Sequence, residues 1–489
     1  MQPLLGRGSE GRMMEMTELR PYFVIFFNGY IKYAFLFLFV ANTSYLVILV
    51  LGYLNAKRLH TKARISYDRT KDLTSTLLPI SMLIPAYNEE LSINESIRSM
   101  LRLNYPRFEL IVVNDGSSDD TIKVLIESFQ LKPVDHAVPI RIATNRVRGV
   151  YKSQLYPSLT VIDKDNGGKA DALNCGINYS VFPLVCCVDS DSLFDESGLI
   201  QMAMPFFEDQ DKVVAVGGVI RVANGCVIEN GNVKEIKVPW NYFAIVQVVE
   251  YLRAYLVGRM GWDYLNANSI ISGAFGLFKK RAVIEVGGYS RNTIGEDLDL
   301  LLKMHMYYLK NNIPYEVHFL PAPICWTEVP TDLKTLGNQR SRWQQGLAEG
   351  LKSTIPMLFK PWSGVIGWVA LPYMWLFELA AAPIELVGYF IMIGGYAFGL
   401  IDPVFSILFL LVTVVYGWIL TFGAVVVEEM TFRKYKSTSD YFKLCLGTIL
   451  EQVGFRQLHL YWRLRGVWRF LRKKHAWGKM KRTGFSKPQ

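Results

Sequence analysis

Pro79-Ile80-Ser81-Met82-Leu83-Ile84-Pro85-Ala86, followed at once by Tyr87-Asn88-Glu89-Glu90, is the stretch from which the rest of the chain is read. A short apolar run stopped by a polar cluster predicts a buried strand. After a helix-like run, a second strand, Leu110–Val113, ends in Asn114-Asp115-Gly116-Ser117-Ser118-Asp119-Asp120-Thr121. A third, Leu184–Val188, ends in Asp189-Ser190-Asp191-Ser192. Strands alternating with helices from about residue 70 to 360 predict a soluble α/β domain. Such a sheet binds its ligand just past the carboxyl ends of its strands, where these clusters fall. Taken singly, each cluster also reads as a plain strand-to-helix turn with an N-cap.

The third cluster carries the sharpest chemistry. Alternate residues of an extended chain point the same way, so the carboxylates of Asp189 and Asp191 can converge. Two like charges repel unless a cation sits between them. Mg²⁺ typically takes one or two carboxylates plus phosphate oxygens, so a divalent ion bridging a diphosphate is the natural partner. Upstream, Asn166-Gly167-Gly168-Lys169 offers close backbone approach and a cation, which suits phosphate. A loop capping a helix is the competing reading. The spacing is wrong for a phosphate-binding loop of the ATPase type, which excludes that class. Ser272-Gly273-Ala274-Phe275-Gly276 precedes Ile294-Gly295-Glu296-Asp297, where acidic residues open a helix. The helix dipole alone favours them there. Finally, Gln339, Arg342 and Trp343 share one helix face and offer an amide, a guanidinium and an aromatic plane. That face suits pyrophosphate and a sugar ring, or an amphipathic interfacial helix.

Composition sets the surroundings. The chain has 489 residues, 51% of them hydrophobic, and a net charge of +10. A mean hydropathy of +0.18 is too high for a disordered chain and too low for membrane helices end to end. Six cysteines show no metal or disulfide spacing, and no histidine pair has ligand spacing. The apolar residues gather at the two ends. Residues 1–30 are expected to be a tail and interfacial segment, and 31–54 a transmembrane helix. Residues 362–375 read as an interfacial helix and 377–427 as two spans split at Asp402-Pro403. Residues 441–489 read as an amphipathic or re-entrant segment with a basic tail suited to anionic lipid. Lys57, Arg58, Lys62 and Arg64 put the soluble domain in the cytosol and the N-terminus outside. Glu378 and Glu385 lie seven apart on one face of the first C-terminal span, which suggests a polar lumen. Seven tryptophans from Trp240 to Trp375 suit a saccharide path, although interface anchoring and core packing account for most of them.

The ordered set PAYNEE, NDGSSDDT, GGKADALN, VDSDS, GED and QRSRW resembles processive family 2 glycosyltransferases. Cellulose, hyaluronan and poly-N-acetylglucosamine synthases are of this kind. The resemblance covers the chain from about residue 30 onward. It implies a GT-A (Rossmann-like) cytosolic domain set between transmembrane and interfacial helices. It also implies a UDP-sugar donor, inversion at the anomeric carbon, and a β-linked polymer leaving through a channel of the same chain. By the same resemblance, Asp115 is the uridine contact and Lys169 a donor-loop residue. Asp189 and Asp191 hold Mg²⁺ or Mn²⁺ and the diphosphate. Asp297, beside Glu296, is the general base, and Gln339, Arg342 and Trp343 clamp pyrophosphate and acceptor.

The implied partners are the donor, the growing polysaccharide and the bilayer, with room for accessory secretion subunits and none for nucleic acid. The expected location is the plasma membrane, the inner membrane of a bacterium. One departure stands out: Gly295 occupies the position where cellulose synthases have Thr. After Lys474 no room is expected for a cyclic-di-GMP-binding domain. The nearest rival is a non-processive enzyme transferring one sugar to a polyprenyl phosphate. A transporter or scaffold with a vestigial domain ranks third. The donor sugar stays open.

Overall fold

The computed structural model describes residues 7–73, 76–190, 192–229, 232–400 and 402–473. Asp191 and the tail from Lys474 onward lie outside the described residues. The soluble part is built on β1 (Ile80–Ala86), β2 (Phe108–Asp115), β3 (Leu131–Pro133), β4 (Val147–Ser153), β5 (Leu159–Lys164) and β6 (Leu184–Val188). It continues with β7 (Leu193–Phe194), β8 (Val213–Val222), β9 (Val227–Glu229), β10 (Asn232–Glu235), β11 (Phe275–Lys279) and β12 (Glu316–Thr327). β9 and β10 make a small ribbon; the others form one sheet in the order β3-β4-β5-β2-β1-β6-β11-β8-β12-β7.

The central strands β5, β2, β1 and β6 run parallel, with Ile80 opposite both Phe108 and Leu184, and Leu110 opposite Leu159. Asp115, Lys164 and the residues after Val188 therefore leave the sheet at the same edge. Side chains alternate between two cores. Met82, Ile84, Leu110 and Val112 enter one; Leu83, Ile111, Val113 and Cys187 enter the other. Both faces are covered, which is why these strands read as unbroken apolar runs.

Among the described residues, three helices are long and apolar enough to cross a bilayer: Pro21–Leu59, Ile366–Ala397 and Ser406–Thr431. The first belongs to one helix, Arg7–Leu73, that runs straight through the junction at residue 30 where the sequence separates an interfacial segment from a span. No proline lies between Tyr22 and Leu59 to break it. The second is likewise continuous across residues 375–377, although it contains Pro372. Two stretches of π-type turns, Ile366–Ala370 and Met374–Ala380, flank that proline and take up its missing N–H. The third starts where Asp402 accepts a hydrogen bond from Val404 N (2.8 Å), a cap at the Asp-Pro split.

The carboxylates of the second apolar helix face protein. Glu378 accepts from Tyr45 OH at 2.9 Å, and Glu385 accepts from Arg456 Nε at 3.1 Å. Arg456 begins the helix Arg456–Leu471, separated from Thr438–Leu450 by a break at Val453 and Gly454 where the backbone leaves helical angles. The soluble domain is pinned to this assembly by Arg221 in β8, whose Nη2 lies 2.6 Å from Glu428 Oε2 with both side chains buried. Breaking a buried pair leaves one charge unpaired, at a cost of about 3–5 kcal/mol, whereas replacing both partners by apolar residues is close to neutral. Glu428→Leu is thus expected to lower the melting temperature of the detergent-solubilised protein sharply. Arg221→Met with Glu428→Leu should recover most of that loss.

Candidate active site

The site is assembled at the edge where the parallel strands end. Lys164 Nζ, fully buried, lies 2.6 Å from Asp115 Oδ1 and 2.6 Å from Asp171 Oδ2. Asp115 also accepts from Gly167 N (3.0 Å) and Gly168 N (2.7 Å). The Gly167-Gly168 loop is thereby tied to the end of β2. Gly168, at φ +85°, stands in a conformation that side chains rarely adopt. Gly167 has no room either, since a Cβ there would lie 2.4 Å from Asp171 Oδ2. Lys169 then opens the helix Lys169–Tyr179.

Lys169 is the centre of the acidic cluster. Its Nζ lies 2.5 Å from Asp189 Oδ1 and 3.8 Å from Glu296 Oε1, and it donates to Gly273 O at 3.3 Å. Asp297 accepts from Gly273 N at 2.9 Å and from Leu298 N at 2.9 Å. Gly273 therefore links cation and acid, and a Cβ there would sit 3.1 Å from Lys169 Nζ. The loop Asn166–Ala170, the segment Arg291–Ile294 and Glu296 line a cleft of about 460 Å³. Burial works against the charge on Lys169, but Asp189 and Glu296 outweigh it and hold the ammonium well above the ordinary lysine value. Burial pushes the Glu296 carboxyl up to about 7, against the lowering pull of Lys169. Among the described residues no three acidic, histidine or cysteine side chains group as a metal cage. Asp189 contributes one hard oxygen ligand set at the strand end, while Asp191 lies outside the described residues.

The third wall is the helix Leu333–Ser353. It meets the start of the Glu296–Lys310 helix at a glycine-on-glycine crossing, where a Cβ on Gly295 would lie 3.0 Å from Gly346 Cα. Glu349 holds the preceding turn by accepting from Thr293 Oγ1 and Ile294 N, each at 2.9 Å. Farther along, Arg340 pairs with Glu250 at 2.6 Å and stacks on Trp343 at 4.4 Å. Trp343 is 36% exposed and its ring lies 6.0 Å from that of Tyr255. Gln339 is half-buried, its Oε1 without a partner, and Arg342 is half-buried on the same helix.

Of the residues singled out from sequence, Lys169, Asp189, Glu296 and Asp297 converge directly. Asp115 stands one layer behind them, anchoring their loop. Gln339, Arg342 and Trp343 belong to the separate helical wall. Lys164, Gly346 and Glu349 carry no sequence signal, because their roles depend on partners distant in the chain. Gly273 lay in a flagged motif without an assigned part.

The Glycosyl transferase family 2 profile matches residues 81–286, and the Glycosyl transferase family group 2 profile matches residues 184–420. Residues 81–286 thus match glycosyl transferase family 2 itself. The chain is 31% identical over 272 residues to the poly-beta-1,6-N-acetyl-D-glucosamine synthase of Staphylococcus epidermidis, covering 55% of this chain and 54% of that one. It is 30% identical over 287 residues to the synthase of the same name from Staphylococcus aureus strain COL, covering 58% of each. The chain thus spans little more than half the length of these relatives. A mannosyltransferase from Pyrobaculum calidifontis, solved in complex with GDP-Man and Mn²⁺, superposes with a TM-score of 0.54 at 16% identity. It covers 90% of this chain and 100% of its own. The fold is accordingly the Rossmann-like GT-A fold.

Two outcomes follow from the packing and the charge. Gly295→Thr, the residue of cellulose synthases, would drive a side chain into the Gly346 backbone and displace Asp297. Turnover is expected to fall at least about tenfold with donor KM little changed, as a misplacement near the reacting atoms does. Glu296 binds a proton in the folded protein up to about pH 7, while the unfolded chain, with its ordinary value of 4.5, releases it earlier. Stability from this group is therefore lost as pH rises from 4.5 through 7 and stays lost above. Glu296→Gln should leave melting unchanged near pH 5 and stabilise the protein at pH 8 by about 1–3 kcal/mol, given about 1.4 kcal/mol per pKa unit.

Proposed function

We propose that the protein is a processive, inverting, membrane-embedded glycosyltransferase that polymerises β-1,6-linked N-acetylglucosamine from UDP-N-acetylglucosamine and passes the polymer through its own helices. The observation that carries this reading is the meeting of two walls. An acidic cluster with one lysine, suited to a metal-bound nucleoside diphosphate, meets a helix whose exposed Trp343 stands beside Tyr255. The relatives' names supply the sugar and the linkage. The soluble domain is assigned to the cytosol, with residues 70–360 catalytic and three spans in the plasma membrane.

In this reading the acceptor hydroxyl attacks the anomeric carbon as the carbon–oxygen bond to the diphosphate breaks. Asp297 takes the hydroxyl proton, and its two backbone hydrogen bonds hold it in place for that step. A single displacement inverts the α-linked donor to a β product. Lys169 balances the charge of Glu296 and Asp189 and lies beside the leaving diphosphate. Gln339 and Arg342 donate to that diphosphate, and Trp343 carries the acceptor ring. Asp115 positions the donor loop through Gly167 and Gly168. The hard oxygen donors Asp189 and Asp191 suit Mg²⁺ or Mn²⁺, which supplies charge stabilisation at the diphosphate when bound.

The test supplies membranes with each UDP-sugar and Mg²⁺ or Mn²⁺, and follows UDP release and product size. UDP-N-acetylglucosamine is expected to give high polymer. A single glycolipid would support transfer to a polyprenyl phosphate instead. Asp297→Asn should lower turnover by about 10²–10⁴-fold, the usual contribution of a general base. Full turnover in that variant would overturn the assignment.

A further inference from the structure

Five lysine and arginine side chains are buried among the described residues: Lys164, Arg221, Arg259, Arg340 and Lys443. Four of them face a carboxylate, at 2.6 Å for Lys164, Arg221 and Arg340 and at 3.9 Å for Lys443. Arg259 is the exception. It is 6% exposed, its Nη1 has no partner, and its guanidinium lies over the Tyr255 ring at 4.6 Å. A buried cation without a carboxylate is costly by several kcal/mol, so a fold keeps one only against a compensating return. Burial pushes this guanidinium below its ordinary value, with Tyr255 and Asp297 as the groups that pull the other way.

Its position identifies the return. Arg259 opens the helix Arg259–Tyr264, which packs on the first apolar helix so closely that a Cβ at Gly261 would lie 2.3 Å from Ile48 O. The same guanidinium lies over the Tyr255 face, with Trp343 next to Tyr255 at 6.0 Å, and within the electrostatic reach of Asp297. Aromatic faces beside a multidentate hydrogen-bond donor are the chemistry that grips a sugar ring and its oxygens. Lys169, the cation already beside the acids, is neutralised by Asp189.

We infer that Arg259 is an acceptor-binding residue, donating to oxygen atoms of the saccharide that lies on Tyr255 and Trp343 beside Asp297. The inference rests on the polymerase reading above. The test compares wild type, Arg259→Gln and Arg259→Lys in membranes, with UDP-N-acetylglucosamine and a soluble N-acetylglucosamine oligosaccharide as acceptor. Arg259→Gln should raise acceptor KM at least tenfold and shorten the product. Donor KM and acceptor-independent UDP release should stay within twofold. Arg259→Lys, which keeps the charge without the fork, should fall between. Without acceptor, the melting temperature of Arg259→Gln should equal or exceed wild type, since an uncompensated charge has gone.

A lower melting temperature with unchanged acceptor KM would make the residue structural. A raised donor KM would move it to the diphosphate. Either result overturns the inference. If wild type itself yields only a lipid-linked sugar, the polymerase reading fails first, and a loss of that product in Arg259→Gln would assign the guanidinium to a lipid phosphate, which also overturns the saccharide assignment.

Discussion

The geometry of the site hangs on one ammonium group. Lys164 Nζ sits without solvent between Asp115 at the end of β2 and Asp171 in the first turn of the Lys169–Tyr179 helix. Burial opposes its charge, but the two carboxylates outweigh that and hold it above the ordinary lysine value. Asp171 in turn accepts from Arg291 at 2.8 Å and from Asn145 N. Two strand ends, a glycine loop and a helix start are thereby fixed against one another. The same network would be expensive if incomplete, because each carboxylate is buried and depends on its donors.

Beyond that anchor the site is a balance of like charges. Asp189, at the end of β6, and Glu296 and Asp297, at the start of the Glu296–Lys310 helix, share one nearby cation, Lys169. Glu296 holds its proton to about 7, chiefly because it is buried and also because it lies beside Asp297. Asp297, fastened by Gly273 N and Leu298 N, has a defined orientation. The Gly273 backbone serves both partners at once, and a Cβ there would lie 3.1 Å from the Lys169 ammonium, which favours a residue without a side chain.

Much of this was legible in the chain. The strands of the parallel core announce themselves because both faces are buried, so apolar runs such as Leu184–Val188 are uninterrupted and their polar ends mark the ligand edge. The acids and Lys169 were visible for the same reason. What was not legible is what depends on contact through space. Gly295 reads as a departure from a motif until Gly346 is seen against it. Lys164 has no neighbours in sequence that suggest a bridge. Glu378 and Glu385 read as a bare polar face, whereas Tyr45 and Arg456 stand against them. The helix through Pro372 continues because π-type turns absorb the defect, a local accommodation that proline alone does not announce.

The break at Val453 and Gly454 bears on how the protein is made. Glu451 accepts from Thr421 Oγ1 at 2.7 Å, and a Cβ at Gly417 would lie 2.7 Å from the Gln452 amide, so the break rests half-way along the third apolar helix. Unwound backbone and a carboxylate at that level are tolerated only against protein. The segment Thr438–Leu471 therefore has no stable place of its own during synthesis. It follows the helix that precedes it into position, so its docking comes after that helix has inserted.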